Sequence, residues 1–297
     1  MHTTLSPAVH HCASNVDTSF VALGTAKIAF LGVVQGITEL LPISSTAHMR
    51  AVPALLGWPD PGSAFSAAMQ LAALAAVISY FRADIGDVLS SSAKALRERD
   101  WTNQGFRLGI SVALATVPIV IAGQLLSGVL NACASPLRAP MVVGIACVAM
   151  AALMGAAELI ARRKRNTNNL TYMDALVVGL AQIGALIPGV SRSGSTFTAA
   201  LFLGFKREEA ARVSFLLGVP AIALAGGREL WLLARLGLSP HDWFVLGVGL
   251  VVSSVSAFAA IWGLMRFLER TSTWPLVIYR AAFGTALIVG AAMHWIT

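Results

Sequence analysis

Apolar runs at about residues 64–81, 108–130, 140–160, 213–225, 243–267 and 276–296 leave this chain few folds to choose from. A helix that crosses a bilayer needs about 20 apolar residues. In lipid every backbone N–H and C=O must find its partner within the protein, so runs of this kind become helices of a bundle. Composition agrees: 57% of the 297 residues are hydrophobic and only 12% are charged. The expectation is one polytopic, all-α membrane domain spanning residues 1–297. The polar segment before residue 21 lacks the basic start and small-residue cleavage site of a signal peptide and reads as a tail. A net charge of +7 would point to nucleic acid in a soluble protein. Here the cations cluster between the apolar runs, as the positive-inside rule expects, so no nucleic-acid partner is implied. Cys12, Cys133 and Cys147 are odd in number and show no ligand spacing, so neither a disulfide framework nor a metal site follows from them.

Against this background one stretch stands apart, Pro188-Gly189-Val190-Ser191-Arg192-Ser193-Gly194-Ser195-Thr196. An arginine at membrane depth costs about 2.5–3.5 kcal/mol even on a lenient scale, and it persists by facing a cavity or pairing with an anion. The bland alternative is snorkelling, but snorkelling arginines sit at helix ends. Around Arg192 the glycines permit close approach, and Ser191, Ser193, Ser195 and Thr196 offer hydroxyls. That composition suits a nest for phosphate oxygens.

A second polar stretch lies near the start. Residues 24–41 carry Gly32, Gln35, Gly36, Thr38 and Glu39 and run into Pro42, then Ser44, Ser45, Thr46 and His48. The stretch is too short and too broken for a plain span, and with the piece to about residue 56 it reads as a re-entrant hairpin. The second half repeats the order: residues 172–187, the arginine motif, a short piece to about residue 205, then three spans. Gly32 and Gln35 match Gly179 and Gln182 at constant offset, and Pro42 and Ser44 match Pro188 and Ser191 with one gap. Asp100-Trp101 and Asp242-Trp243 also precede corresponding spans. The expected fold is therefore a duplication, residues 24–161 and 172–296. Each half holds one hairpin and three spans, an odd number, so the halves are inverted: six transmembrane helices and two re-entrant helical hairpins. The basic stretches at residues 82–107 and 162–165 fall on the cytoplasmic side and both termini outside. The two hairpins then meet near the midplane.

Gln35 and Glu39, four apart, share one helix face, with Ser44, Ser45 and His48 just beyond the Pro42 break. An intramembrane glutamate and histidine set against an arginine supply a metal or proton group, an acid or base and an anion site. Those parts suit phosphoryl transfer, with Arg192, Ser45 and His48 as charge neutraliser, nucleophile and proton donor. Each has a plainer reading. Ser44, Ser45 and Thr46 can bond back to helix carbonyls, His48 can cap a helix, and Glu39 can simply pair with Arg192. Gln70, alone in an apolar span, is first an interhelical hydrogen bonder and second a substrate ligand.

The run from Gly32 to His48, with Pro188-Gly189-Val190-Ser191-Arg192-Ser193-Gly194 and Ser214 to Pro220, resembles the bacterial undecaprenyl-diphosphate phosphatases of the BacA type. The likeness extends from about residue 26 to the Ile278-Tyr279-Arg280 span. It implies hydrolysis of undecaprenyl diphosphate to the monophosphate at the outer face of the bacterial plasma membrane, recycling the carrier lipid for peptidoglycan synthesis and conferring bacitracin tolerance. By motif position Glu39 and His48 would be catalytic, Ser45 nucleophile or phosphate ligand, and Ser191, Arg192, Ser193 and Thr196 holders of the diphosphate. Gln35, Ser44, Thr46 and Gly194 complete the expected substrate site. The family commonly has glutamate at the position of Gln35 and glycine at that of Ala47, which weakens a two-carboxylate metal site. A divalent cation, Mg²⁺ or Ca²⁺, bound through Glu39 and partly by the substrate, is the expected cofactor. Expected partners are the polyprenyl diphosphate and membrane lipids; a homodimer is admitted, though nothing in the sequence fixes the oligomeric state. The competing expectation is a polyprenyl-phosphate transporter or flippase, since inverted repeats with broken helices are also transporter architecture.

Overall fold

The computed structural model describes residues 18–126 and 136–295; Cys12, Cys133, most of the N-terminal segment and the end of the run at 108–130 lie outside them. Among the described residues the regular elements are helices, with one isolated bridge between Arg165 and Phe205. A 3-10 turn leads into α1 (Gly24–Leu40), and α2 (Ser45–Leu55) completes a first hairpin. Then come α3 (Ser63–Tyr80), α4 (Arg82–Glu98), α5 (Gln104–Leu125) and α6 (Pro140–Ile160). The second hairpin is α7 (Tyr172–Ile183) and α8 (Arg192–Phe202), followed by α9 (Arg207–Arg235), α10 (Pro240–Arg270) and α11 (Trp274–Ala292). Six helical segments among the described residues are long and apolar enough to cross a membrane. The chain is a polytopic helical membrane protein.

Three boundaries differ from the sequence expectation. With its leading turn, the first apolar run is one continuous helical stretch of 22 residues, Ser19–Leu40, long enough by itself to cross. Its break falls at the turn over residues 41–44, where Pro42, Ile43 and Ser44 are buried inside the protein. The basic stretch after residue 81 is itself a helix, α4, bent 77° from α3. It escapes an apolar-run search because only one face is apolar: Ile85 joins the core while Gly105 and Gly109 of α5 lie against Ser91 and Ser92. Finally, α9 runs to 29 residues rather than the 13 expected at 213–225, because charged residues extend it at both ends: Glu208 and Glu209 build its first turn, and Arg228, Glu229 and Arg235 lie beyond the apolar run.

Capping explains several starts. Thr171 and Asp174 form a reciprocal box at α7, Ser239 and Asp242 form another at α10, and Asn103 accepts from the Phe106 N–H at α5. Helix packing relies on small residues. A Cβ on Gly32 or Gly36 of α1 would strike the α10 backbone at Gly249 and Ser253, and one on Gly179 of α7 would strike Ala115 of α5. Lipid tails are as apolar as leucine, so such close backbone approach is what holds membrane helices together. Ion pairs knit the basic side: Glu158 takes Arg163 and Arg207, Asp174 takes Arg165, and Asp84 takes Arg212 at 2.7 Å. The two hairpins meet at their turns, where Arg192 and Ser193 of the second reach Glu39 of the first.

Candidate active site

Both short helices start in the same way. Ser44 at φ 75° precedes α2 and Ser191 at φ 67° precedes α8, each helix being 11 residues long. The left-handed region is costly for a serine and calls for compensation. At α8 the Ser191 hydroxyl accepts the Gly194 N–H at 3.2 Å. At α2 the Ser44 carbonyl accepts from His48 Nδ1 at 2.7 Å and from the His48 backbone N–H.

Glu39, at the end of α1 and 6% exposed, is the hub. Its Oε2 accepts from Gln35 Nε2 at 3.0 Å and from the Ser45 hydroxyl, and its Oε1 accepts from Arg192 Nη2 at 3.3 Å. One carboxylate therefore joins α1, α2 and α8, and pairs across 153 residues of sequence. Ser193 adds a second tie, its hydroxyl reaching the carbonyls of Glu39 (3.1 Å) and Leu41 (3.2 Å). Thr196 turns inward to the Arg192 carbonyl and Ser214. Thr46 lies 3.4 Å from the Ser44 hydroxyl. Gln70, partly exposed on α3, takes no part in this hydrogen-bond set.

His48 faces the other way. A carbonyl can only accept, so Nδ1 carries the proton toward Ser44 and, in the neutral ring, Nε2 accepts from the Tyr279 hydroxyl at 2.7 Å. Phe283 stacks on the imidazole at 4.0 Å. Among the described residues no hydrogen bond joins His48 to Glu39, Ser45 or Arg192.

Sequence reasoning missed Arg280, which lies fully buried on α11. Its guanidinium donates to the carbonyls of Pro42 and Gly189, both at 2.7 Å, and also to those of Val190 and Cys147. No carboxylate among the described residues pairs with it. The compensation is structural: these turns follow the C-terminal, electronegative ends of α1 and α7, and Arg280 sits between them. The opposite ends of the turns are the N-termini of α2 and α8, whose free N–H groups favour an anion. Glycines make the room. A Cβ on Gly194 would collide with Arg280 and one on Gly218 with Arg192. The rule that singled out Arg192, a charge inside an apolar run, applies equally to Arg280; Tyr279 and Gly218 carry no such signal.

A hard cation is tested by the oxygens present. No group of three or more His, Cys, Asp or Glu side chains is found among the described residues. The amide oxygen of Gln35, however, is buried without a partner while its nitrogen holds Glu39. One carboxylate and one orphaned amide oxygen make a partial oxygen set that suits a cation completed by substrate oxygens and water.

Comparison with known proteins agrees over nearly the whole length. Residues 28–286 match the family described as bacitracin resistance protein BacA. The undecaprenyl-diphosphatase 2 of Mesorhizobium japonicum is 67% identical over 263 residues, 89% of this chain and 100% of that protein. The undecaprenyl-diphosphatase of Gloeobacter violaceus is 48% identical over 90% of this chain and 91% of its own, and one from a Synechococcus strain is 46% identical over 92% and 97%. With two hairpin turns locked around Glu39 and Arg192, and with likeness of this extent, the chain belongs to the BacA family.

Proposed function

We propose that the chain is an undecaprenyl-diphosphate phosphatase, releasing inorganic phosphate and leaving the lipid monophosphate. The observation that carries this reading is the Ser45–Glu39–Arg192 line: a hydroxyl donating to a buried carboxylate, with a guanidinium on that carboxylate's other oxygen. Serine with an adjacent base is the arrangement of an activated nucleophile. Ser45 Oγ attacks the terminal phosphorus and its proton passes to Glu39. The bond from that phosphorus to the bridging oxygen breaks, and the lipid monophosphate leaves with the bridging oxygen and its electron pair. Water then attacks the phosphoserine: its oxygen and one hydrogen stay on phosphorus, its other hydrogen restores the Ser45 hydroxyl as the phosphorus–serine bond breaks, and the proton held by Glu39 leaves with the inorganic phosphate. A phosphate leaving group departs as an anion and needs charge stabilisation more than a proton. Arg192 and the N-termini of α2 and α8 are placed to supply it. A divalent cation held by Glu39 and the Gln35 amide oxygen would add Lewis-acid stabilisation of the non-bridging oxygens. His48, by clamping the Ser44 carbonyl, keeps the start of α2 and hence Ser45 in place.

The finer setting follows the sequence expectation: a bacterial plasma membrane, basic layer inside, site open to the outer side, and the carrier lipid returned to cell-wall synthesis. An Asn166→Cys variant should resist a membrane-impermeant thiol reagent in whole cells while Leu236→Cys reacts; the reverse pattern would invert the orientation.

A transporter reading has one specific support. The packing of α1 on α10 is mirrored by that of α7 on α5, as an inverted duplication of residues 24–161 and 172–296 would require. Purified protein in detergent, given undecaprenyl diphosphate, separates the two. The phosphatase releases one phosphate per lipid monophosphate formed, and lipid binding with no phosphate release would favour the transporter.

A further inference from the structure

α10 and α11 are joined only by residues 271–273, a connection that normally leaves two antiparallel helices packed together. Here they make little direct contact: α10 packs on α1 and α3, and α11 on α6. Between them, on the basic-layer side of the hairpin turns, lies an apolar groove of about 830 Å³. Along α10 it reaches from Ser256 to Phe267, roughly 17 Å by the rise of a helix. Its polar atoms are few, and Thr38 turns its hydroxyl back to the Val34 carbonyl at 2.7 Å, leaving its methyl for the groove. Groove and site share a wall. Leu41 lines the groove while its carbonyl accepts from Ser193, and Tyr279 lines it while its hydroxyl donates to His48. Gly263 faces the same space, and a Cβ there would meet no atom within 4 Å, unlike those of Gly32 and Gly36 on α1. A mid-helix glycine costs roughly 0.5–1 kcal/mol against alanine, and at Gly263 no neighbouring helix explains it.

The geometry points to this groove as the binding site for the polyprenyl chain of the substrate, carried from the hairpin turns into the leaflet on the basic side. The inference rests on the phosphatase reading and names where the apolar part of that lipid lies. A diphosphate held at the turns places the first carbons of its chain beside Leu41 and Tyr279, and the groove is the continuous apolar path from there. Burial of a long branched chain supplies affinity in proportion to area, so blocking the path should raise KM for long substrates alone.

The experiment uses the full chain in detergent with three diphosphates: undecaprenyl, farnesyl, and isopentenyl, which scarcely enters the groove. Gly263→Leu and Gly263→Trp fill the groove from a position where the protein offers no clash. Gly247→Leu, on the same helix at an open position outside the groove, is the control. The expected result is a KM for undecaprenyl diphosphate raised about threefold by leucine and about tenfold by tryptophan. The change for farnesyl diphosphate should be smaller, kcat/KM for isopentenyl diphosphate unchanged, and Gly247→Leu silent. Unchanged KM for undecaprenyl diphosphate means that bulk lipid alone fills the groove and overturns the inference. Equal losses on all three substrates also overturn it, since the groove wall would then be supporting the fold. Absence of phosphate release by the unaltered protein from any of the three would instead sink the phosphatase reading itself.

Discussion

The two hairpins use the same backbone device and carry different chemistry. Each enters on a helix, turns inside the protein, and restarts on a serine in the left-handed region before an 11-residue helix. The first turn brings a carboxylate and a nucleophilic hydroxyl; the second brings a guanidinium and hydroxyls that mostly bond to backbone. What is common to them is electrostatic: an electronegative helix end at Arg280 and an electropositive helix start toward the site. What differs is the side chain displayed at that start. A repeated scaffold can thus hold a site with a single, asymmetric reaction direction.

The contrast breaks most completely at Arg192. Arg192→Ala should lower kcat/KM for phosphate release on the order of a hundred- to a thousandfold, with the protein still folded. Arg192→Lys should recover little of it, because a point charge cannot form the guanidinium's fork. Near-normal turnover in the lysine variant would move the anion site off the second hairpin.

Arg280 tests what the two turns have in common. Arg280→Met keeps volume and removes the donors, so each buried carbonyl left unpaired costs about 1–3 kcal/mol. The expected outcome is a lowered unfolding temperature and about tenfold lower turnover from displaced turns. An unchanged melting temperature would show that the turns hold without it.

Much of this was legible in the sequence because membrane chemistry makes polar residues conspicuous. Glu39 and Arg192 stand out in apolar surroundings, and the Gly32/Gly179 and Ser44/Ser191 matches fall on positions with the same backbone task in both halves. What stayed hidden depends on three-dimensional pairing. The direction of His48 toward Tyr279 is set by α11, more than 230 residues away, and the inward turn of Ser193 and Thr196 by carbonyls of other segments. Helix α4 escapes because an amphipathic surface helix has no apolar run; Arg280 carries the same signal as Arg192, a charge inside an apolar run, and what the sequence leaves out is its scattered set of carbonyl partners.

A smaller effect sharpens the difference between the hairpins. Gln35 gives the first turn one carboxylate and an unpartnered amide oxygen, so Gln35→Glu should lower the Mg²⁺ or Ca²⁺ concentration for half-maximal phosphate release severalfold. Without metal, the adjacent carboxylates would repel each other and the substrate and slow the reaction. Coincident metal curves for the two proteins, or full activity under chelation, would remove the cation from the mechanism.

The two turns work as one catalytic unit through the Glu39–Arg192 contact, which spans 153 residues of sequence. Its most direct test is a double-mutant cycle on phosphate release, with Glu39→Gln, Arg192→Lys and the pair. Groups that act as a unit lose little more together than the worse of them loses alone, so the double variant is expected within about threefold of the weaker single. Losses that multiply would contradict it, leaving the two hairpins as independent contributors.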